Sequence, residues 1–387
     1  LFILIFIMAA AHADRIRSLL AQGPAPARQL IDLSGVSQPT LSRALAGMGS
    51  EIVRMGAARS IQYALRDATR GLAEVPVYRV SAEGRIRQLG LLVPVRPDGF
   101  VMLQDDGATH YSEGLPWWIQ DMRPAGFLGR AFAVSFAAAL GLPADIDAWT
   151  DAHVLRALIH HGDDLVGNLL LGDIARENFI QAPAPVPVSV TDYPALAEAA
   201  ERGEVAGSSA GGEQPKFVAY NGRHVLMKFS ARSDNPVTGR WRDLLLAEHL
   251  AGRVLTDSGL PAVESRIVDI GPRRFLEVER FDRVGALGRR AVHSLTALDS
   301  EFVGDAISPW PVLAGRLATS GVVTSEAAEL ATILYAFGVL TGNTDMHNGN
   351  LSFVSDHGKP YQLAPAYDML PMAFRPGSGG HLPDSLN

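Results

Sequence analysis

The feature that most constrains this chain is a short polar segment, Asn343-Thr344-Asp345-Met346-His347-Asn348-Gly349-Asn350, followed by Tyr367-Asp368. It sets an Asp, then an Asn five places on, then a second Asp beyond a short stretch with β-like turn signals. That order suits phosphoryl transfer. Asp345 can orient and deprotonate an acceptor hydroxyl. Asn350 and Asp368 offer hard oxygen donors of the kind that hold Mg2+. His347 reads as a base, a metal ligand or, more simply, a prop that hydrogen-bonds the loop. The competing reading of the whole segment is a polar loop rich in Asn and Asp turns; residue type, order and spacing together argue against it.

Phosphoryl transfer also needs a loop to cover phosphates, a lysine to bind them and a dry cleft. Gly207 to Lys216, G-S-S-A-G-G-E-Q-P-K, is rich in small residues that let backbone amides approach an anion. Ser209, Gly211, Gly212 and Lys216 are its candidate phosphate contacts. The loop is neither a Walker A nor a G-x-G-x-x-G sequence, and a flexible surface loop is the alternative. Lys228 lies in the predicted strand H-V-L-M-K-F, where a lysine is costly unless it meets an anion. Glu248 shares an apolar helical stripe with Leu244, Ala251 and Leu255, so it needs a cation, and Lys228 is the natural partner. A solvated Lys228 and an edge-of-stripe Glu248 remain the plain alternative. The strand Phe275 to Phe281 leads into Asp282-Arg283, and backbone groups of Glu279 and Phe281 are placed to read adenine. An ordinary strand end with an Arg–Asp pair explains the same residues.

The start of the chain has a different character. From Asp14 to Arg70 there are eight arginines and four acidic residues, in a chain whose net charge is −7. Residues 14 to 47 read as a helix-turn-helix. Ile16, Leu19 and Leu20 give one apolar stripe, and Leu30, Ile31 and Leu33 end the next helix. Ser34-Gly35-Val36 forms the turn, and Ser37 and Pro39 open a third helix. Leu41, Ala44, Leu45 and Met48 repeat at helical spacing and face the core. Gln38, Thr40, Ser42 and Arg43 then point outward, suited to base edges and phosphates. Residues 52 to 59 form a basic wing with Arg54 and Arg59. A packing or dimerisation module is the alternative.

The remaining features set the organisation. There is no cysteine, which excludes disulfides, thiolate metal sites and cysteine nucleophiles. Leu1 to Ala11 is apolar but too short to span a membrane and lacks a preceding basic region. Residues 1–13 are therefore expected to be a non-native leader, with Met8 as the natural start. A helix-turn-helix domain is expected at 14–72. Hairpins at 75–105 and helices at 127–142 and 151–161 fill a subdomain at 73–181. The Pro-rich run 182–187 opens a β-rich lobe with a helix at 243–257, extending to 290, and a helical lobe follows at 291–387. The fold class is α+β: a winged helix-turn-helix before a two-lobed protein-kinase-like fold.

On S-x-x-G-x-x-x-K at 209–216, V-E-R-F-D-R at 278–283, N-x-D-x-H-x-x-N at 343–350, Y-D at 367–368 and G-D-D-L-V-G at 162–167, the chain resembles the HipA family. These are serine/threonine kinases, the toxins of bacterial type II toxin–antitoxin pairs. The resemblance covers about residues 75 to 375. The fused N-terminal domain resembles the YjjJ-like branch. The resemblance implies ATP and Mg2+, with Lys228 on phosphates, Asp345 as catalytic base and Asn350 and Asp368 on the metal. It implies autophosphorylation of Ser209, whose added charge would eject the loop. It also implies a protein substrate, such as an aminoacyl-tRNA synthetase or another translation factor. Operator DNA bound by the N-terminal domain, a possible homodimer, a cytoplasmic location and no membrane complete the expectation. The alternatives are a small-molecule kinase of aminoglycoside or choline type and a transcriptional regulator whose kinase-like half senses nucleotide. Two departures stand out: the chain stops soon after Y-D, so the helical lobe is expected to be truncated, and Met346 stands where small or acidic residues are common.

Overall fold

The computed structural model of the protein describes residues 2–57, 60–204 and 212–385, with side chains from residue 11 onward. Ser209, Gly211 and Arg59 lie outside the described residues. The molecule is mixed α+β.

Helices Phe2–Leu20, Ala27–Ser34 and Gln38–Met48 pack over a small antiparallel sheet. In it Gln62–Leu65 lies between Ala25–Pro26 and Ile52–Met55. Ile16, Leu20, Leu30, Leu41, Leu45 and Met48 close the core, as their helical spacing requires. Gly35 ends the second helix at φ 70°, and its N–H donates to Ile31 O. A Cβ there would be strained. Ser37 occupies the cap position of the third helix but makes no side-chain cap bond; its Oγ lies 3.0 Å from Thr40 Oγ1. Gln38, Ser42 and Arg43 are exposed and Thr40 is half-buried. The first helix begins at Phe2, not at residue 14, because the apolar leader continues it. No helix among the described residues is long and apolar enough to cross a membrane.

The middle region is a five-stranded antiparallel sheet, in the order Thr109–Ser112, Gly99–Gln104, Ile86–Val95, Val75–Val80, Leu169–Leu171. The hairpins expected at 75–105 are its centre. Phe100, Ile119, Val154, Leu155 and Leu158 are fully buried between this sheet and helices Gly126–Phe136 and Asp151–His161. The helix expected at 127–142 stops at Phe136. Two helices were not expected, Gly172–Gln181 and Tyr193–Glu201. The first starts on a glycine at φ 81° and buries only Gly172, Ala175 and Phe179, so its stripe is short.

Beyond the Pro-rich stretch comes a four-stranded antiparallel sheet, in the order Ser265–Ile270, Arg273–Glu279, His224–Phe229, Lys216–Tyr220. Helix Pro236–Asp257 packs on it, starting earlier than the expected 243 because Asn235 caps it by accepting from Thr238 N–H. Helices Leu295–Phe302, Trp310–Thr319 and Ser325–Thr341 follow. A small sheet of Ala291–Ser294, Ser352–Ser355 and Gln362–Leu363 lies against them. Trp310, Leu313, Leu317, Leu298 and Phe353 are its buried centre.

A buried charge network joins the middle region to the end of strand Arg273–Glu279. The Asp282 carboxylate accepts from Arg280 Nε at 3.0 Å, Arg283 Nη1 at 2.6 Å and Gly167 N–H at 3.1 Å. Arg283 Nη2 donates to Asp164 Oδ1 at 2.8 Å and to Leu165 O at 2.7 Å. Burial pushes the Asp282 carboxyl up, but the two guanidiniums outweigh it and hold it well below the usual carboxylate range. The E-R-F-D-R signature is thus, at least in part, a joint between two regions, held as an Arg–Asp cluster.

Candidate active site

The site grows from three backbone elements that meet in a cavity of about 380 Å3. Strand His224–Phe229 delivers Lys228, helix Pro236–Asp257 delivers Glu248, and the segment after Gln362–Leu363 delivers Asp368. Lys228 Nζ donates to Glu248 Oε1 at 2.6 Å and pairs with the Asp368 carboxylate. The Lys228 and Glu248 side chains are 5% and 7% exposed, so the reading of a solvated lysine and an edge-of-stripe glutamate fails.

Electrostatics divide the two carboxylates. Burial opposes the Lys228 charge, but Asp368 and Glu248 outweigh it and raise its pKa. Burial pushes both carboxyls up; at Asp368 the neighbouring Lys228 and Lys216 prevail and depress it, whereas Glu248 ends raised. Of the two, Glu248 is the carboxyl that more readily holds a proton. Its second oxygen, Oε2, is buried without a hydrogen-bond partner. Lys216 lines the same cavity; burial lowers its pKa to about 8, with Asp368 opposing.

The loop from Asn343 to Asn350 is held by side chains of its own. Gly342 ends helix Ser325–Thr341 at φ 75°. Asn343 is buried; its Oδ1 accepts from Asp345 N–H at 3.0 Å, and its Nδ2 donates to Asp368 O at 3.3 Å. One carboxamide thus ties the loop to the segment that carries Asp368. Asp368 itself sits at φ 53°, in the left-handed region that Asp tolerates better than most residues. Asn350 Nδ2 donates to Asp345 O at 2.8 Å, which leaves its Oδ1 for a ligand. Asp345 is half-buried and its side chain has no hydrogen bond among the described residues. His347 Nδ1 accepts from Gly349 N–H at 3.1 Å, and His347 O accepts from Trp310 Nε1 at 3.2 Å. This geometry favours the prop among the three readings of His347.

Apolar side chains of Leu226, Val263, Val278 and Phe281 line part of the cavity. The Glu279 N–H is already spent on Glu264 O at 2.9 Å, so only its carbonyl can face a base. The Phe281 N–H has no partner among the described residues. Phe281 lies 5.6 Å, ring to ring, from Tyr367. Tyr367 Oη lies 2.7 Å from Ser352 Oγ. Gly212 also borders the cavity, and its carbonyl accepts from Phe127 N–H of the middle region at 3.1 Å.

Sequence reasoning missed Asn343, although it opens the recognised segment, because its role depends on Asp368 being adjacent. It also missed Asp121 and Val166, which reach the cavity from the middle region. Among the described residues no group of three or more His, Cys, Asp or Glu could hold a metal ion. One carboxylate and one carboxamide, Asp368 and Asn350, with the free Asn350 Oδ1, fit Mg2+, which keeps waters and takes phosphate oxygens as further ligands.

Residues 208–385 match the family described as the HipA-like C-terminal domain, and residues 72–180 match the YjjJ-like toxin, middle domain. The chain is 40% identical over 383 residues to Toxin YjjJ of Escherichia coli (strain K12), covering 96% of this chain and 86% of that protein. It belongs to the HipA-like toxin family, in its YjjJ-like branch. Among solved structures, a chain of the Shewanella oneidensis MR-1 HipA, HipB and operator DNA complex is 19% identical. It aligns over 74% of this chain and 76% of its own length, with a TM-score of 0.47. The Helicobacter pylori proinflammatory kinase CtkA is 18% identical over 41% of this chain and 54% of its own, with a TM-score of 0.32. At those scores the two structures add nothing to the assignment, which rests on the sequence relative.

Proposed function

We propose that this chain is an ATP-dependent serine/threonine protein kinase of HipA toxin type, fused to a DNA-binding domain that regulates its own operon. The observation that carries the kinase reading is Lys228, buried between Glu248 and Asp368, with Asn343 fastening Asp368 to the Asp345 loop. In this reading Lys228 and Lys216 bind the ATP phosphates. Asp368 and Asn350 hold Mg2+, which when bound neutralises phosphate charge. Asp345 accepts the proton of the acceptor hydroxyl as its oxygen bonds to the γ-phosphorus and the bond to the β-phosphate oxygen breaks. Adenine rests on Phe281, against the Glu279 carbonyl and the Phe281 N–H.

Several finer roles belong to the same proposal. Ser209, with Gly211 and Gly212, forms the phosphate loop, and Ser209 is the autophosphorylation site. Residues 14–72 form the winged helix-turn-helix, 73–181 and 182–290 the middle subdomain and the β-rich lobe, and 291–387 the helical lobe. The substrate is a protein, with an aminoacyl-tRNA synthetase or another translation factor as the candidate class, and the protein acts in the cytoplasm as a homodimer. Incubation with labelled ATP and Mg2+ is expected to label the wild type at Ser209 and to leave Ser209→Ala unlabelled. Undiminished label in Ser209→Ala sinks the assignment of that serine. Label on an aminoglycoside or a metabolite, with none on protein, favours the small-molecule kinase.

Support for DNA binding is the exposed face of helix Gln38–Met48, where Gln38, Ser42 and Arg43 stand free of the core beside half-buried Thr40. Operator affinity is expected to fall steeply with salt, by about one power of the salt concentration per phosphate contact. Titration of binding between low and high salt reads this directly, and a flat response removes the phosphate-contacting role. An intact cellular phenotype in Asp345→Asn, with loss in Arg43→Ala, points instead to a regulator that only senses nucleotide.

A further inference from the structure

The middle region reaches the cavity with a carboxylate that the kinase reading leaves without a role. Asp121 lies in the turn of helix Trp117–Met122 and borders the cavity together with Gln120. Its Oδ2 accepts from Ser294 N–H at 2.6 Å and its Oδ1 from Ser294 Oγ at 2.6 Å. Ser294 also caps helix Leu295–Phe302, its Oγ accepting from Ala297 N–H at 3.1 Å. The carboxylate is thus held by the capped start of helix Leu295–Phe302.

Its position in the cavity follows from the sheet. Ser294 is the register partner of Ser352, whose Oγ lies 2.7 Å from Tyr367 Oη, and Tyr367 immediately precedes Asp368. Asp121, Ser294, Ser352 and Tyr367 therefore form a polar strip. At the Tyr367 end of the strip Phe281 packs against the Tyr367 ring, and Asp368, paired with Lys228, follows Tyr367 directly. The strip, Phe281 and Lys228 line one cavity, so a nucleotide held in it can bring its sugar to Asp121.

The chemistry fits neutral hydroxyl donors. Asp121 has no ion-pair partner among the described residues, and burial pushes its carboxyl up against the two Ser294 bonds. Each oxygen already accepts one hydrogen, and a carboxylate has lone pairs for about four. Sugar hydroxyls can add donors without bringing a charge.

We propose that Asp121 reads the ribose hydroxyls of the nucleotide, so that the middle region completes the nucleotide site of the kinase half. The inference rests on the kinase reading of the cleft. The test is equilibrium binding of ATP, 2′-deoxy-ATP and 3′-deoxy-ATP to the full chain, wild type and Asp121→Asn, with thermal unfolding of both. The wild type is expected to lose about tenfold or more in affinity with at least one deoxy analogue. Asp121→Asn is expected to bind ATP and that analogue alike. Equal binding of all three nucleotides by the wild type overturns the inference without any variant. Discrimination that survives in a folded Asp121→Asn overturns it as well. In both cases ATP still binds, and the kinase reading stands; a wild type that binds no ATP brings down that reading and this one with it.

Discussion

Asp345→Asn is expected to slow phosphoryl transfer by about 10²- to 10⁴-fold, the usual contribution of a positioned general base, while ATP affinity stays close to that of the wild type. The separation follows from how the loop is built. Its shape is set by backbone and carboxamide bonds: Asn343 Oδ1 to Asp345 N–H, and Asn350 Nδ2 to Asp345 O. The Asp345 side chain takes part in neither. Replacing one oxygen by an amide nitrogen keeps its size and leaves those bonds in place. What disappears is the ability to take a proton. In the proposed reading nucleotide contacts fall instead to Lys228, Lys216 and Asp368, which line the cavity with its apolar walls. Single-turnover transfer from labelled ATP, run beside nucleotide titration, separates the two effects. Transfer at the wild-type rate removes Asp345 from the chemistry; a parallel loss of ATP binding shows that the residue shapes the cavity instead.

The second large effect is one of stability. Asp282→Ala is expected to destabilise the fold by about 3–5 kcal/mol, as removal of one partner from a buried ion cluster does. The carboxylate satisfies Arg280, Arg283 and the Gly167 N–H together. Removing it takes from two buried guanidiniums their shared buried counter-ion at the joint between the middle region and the β-rich lobe, and leaves them only the half-exposed Asp164. Denaturant unfolding of wild type and variant measures the difference, and a change below about 1 kcal/mol contradicts the assignment. The pH dependence has a definite sign. The Asp282 carboxyl is depressed in the folded state, so its contribution is complete above the unfolded carboxylate value of about 4. It is lost as pH falls through the folded value. Acid should therefore destabilise the wild type more steeply than Asp282→Ala below about pH 4.

Sequence and structure agree most closely where local chemistry is decisive. Lys228 and Glu248 are legible as a pair because an ion on an apolar strand or stripe demands a counter-ion, and the structure joins them. The helix read at 151–161 is found at those bounds, and Thr150 caps it. Features that depend on distant neighbours are not legible. Asp121 looks like an ordinary surface acid in the sequence, and Asp164 stands in the G-D-D-L-V-G segment with no role of its own. They acquire meaning only when Ser294 and Arg283 fold against them. Helix Tyr193–Glu201 follows a Pro-rich stretch that reads as linker and has Pro194 in its first turn. The helical start at Phe2 is likewise missed, because the apolar leader reads as a separate segment.

Asn343 carries one more consequence. Because a single amide group clasps both the loop of Asp345 and the backbone of Asp368, the proposed proton acceptor and the proposed metal ligand share one mechanical reference frame. A shift of either reaches the other through that one side chain. A substitution at position 343 can silence the site with every reacting group still present.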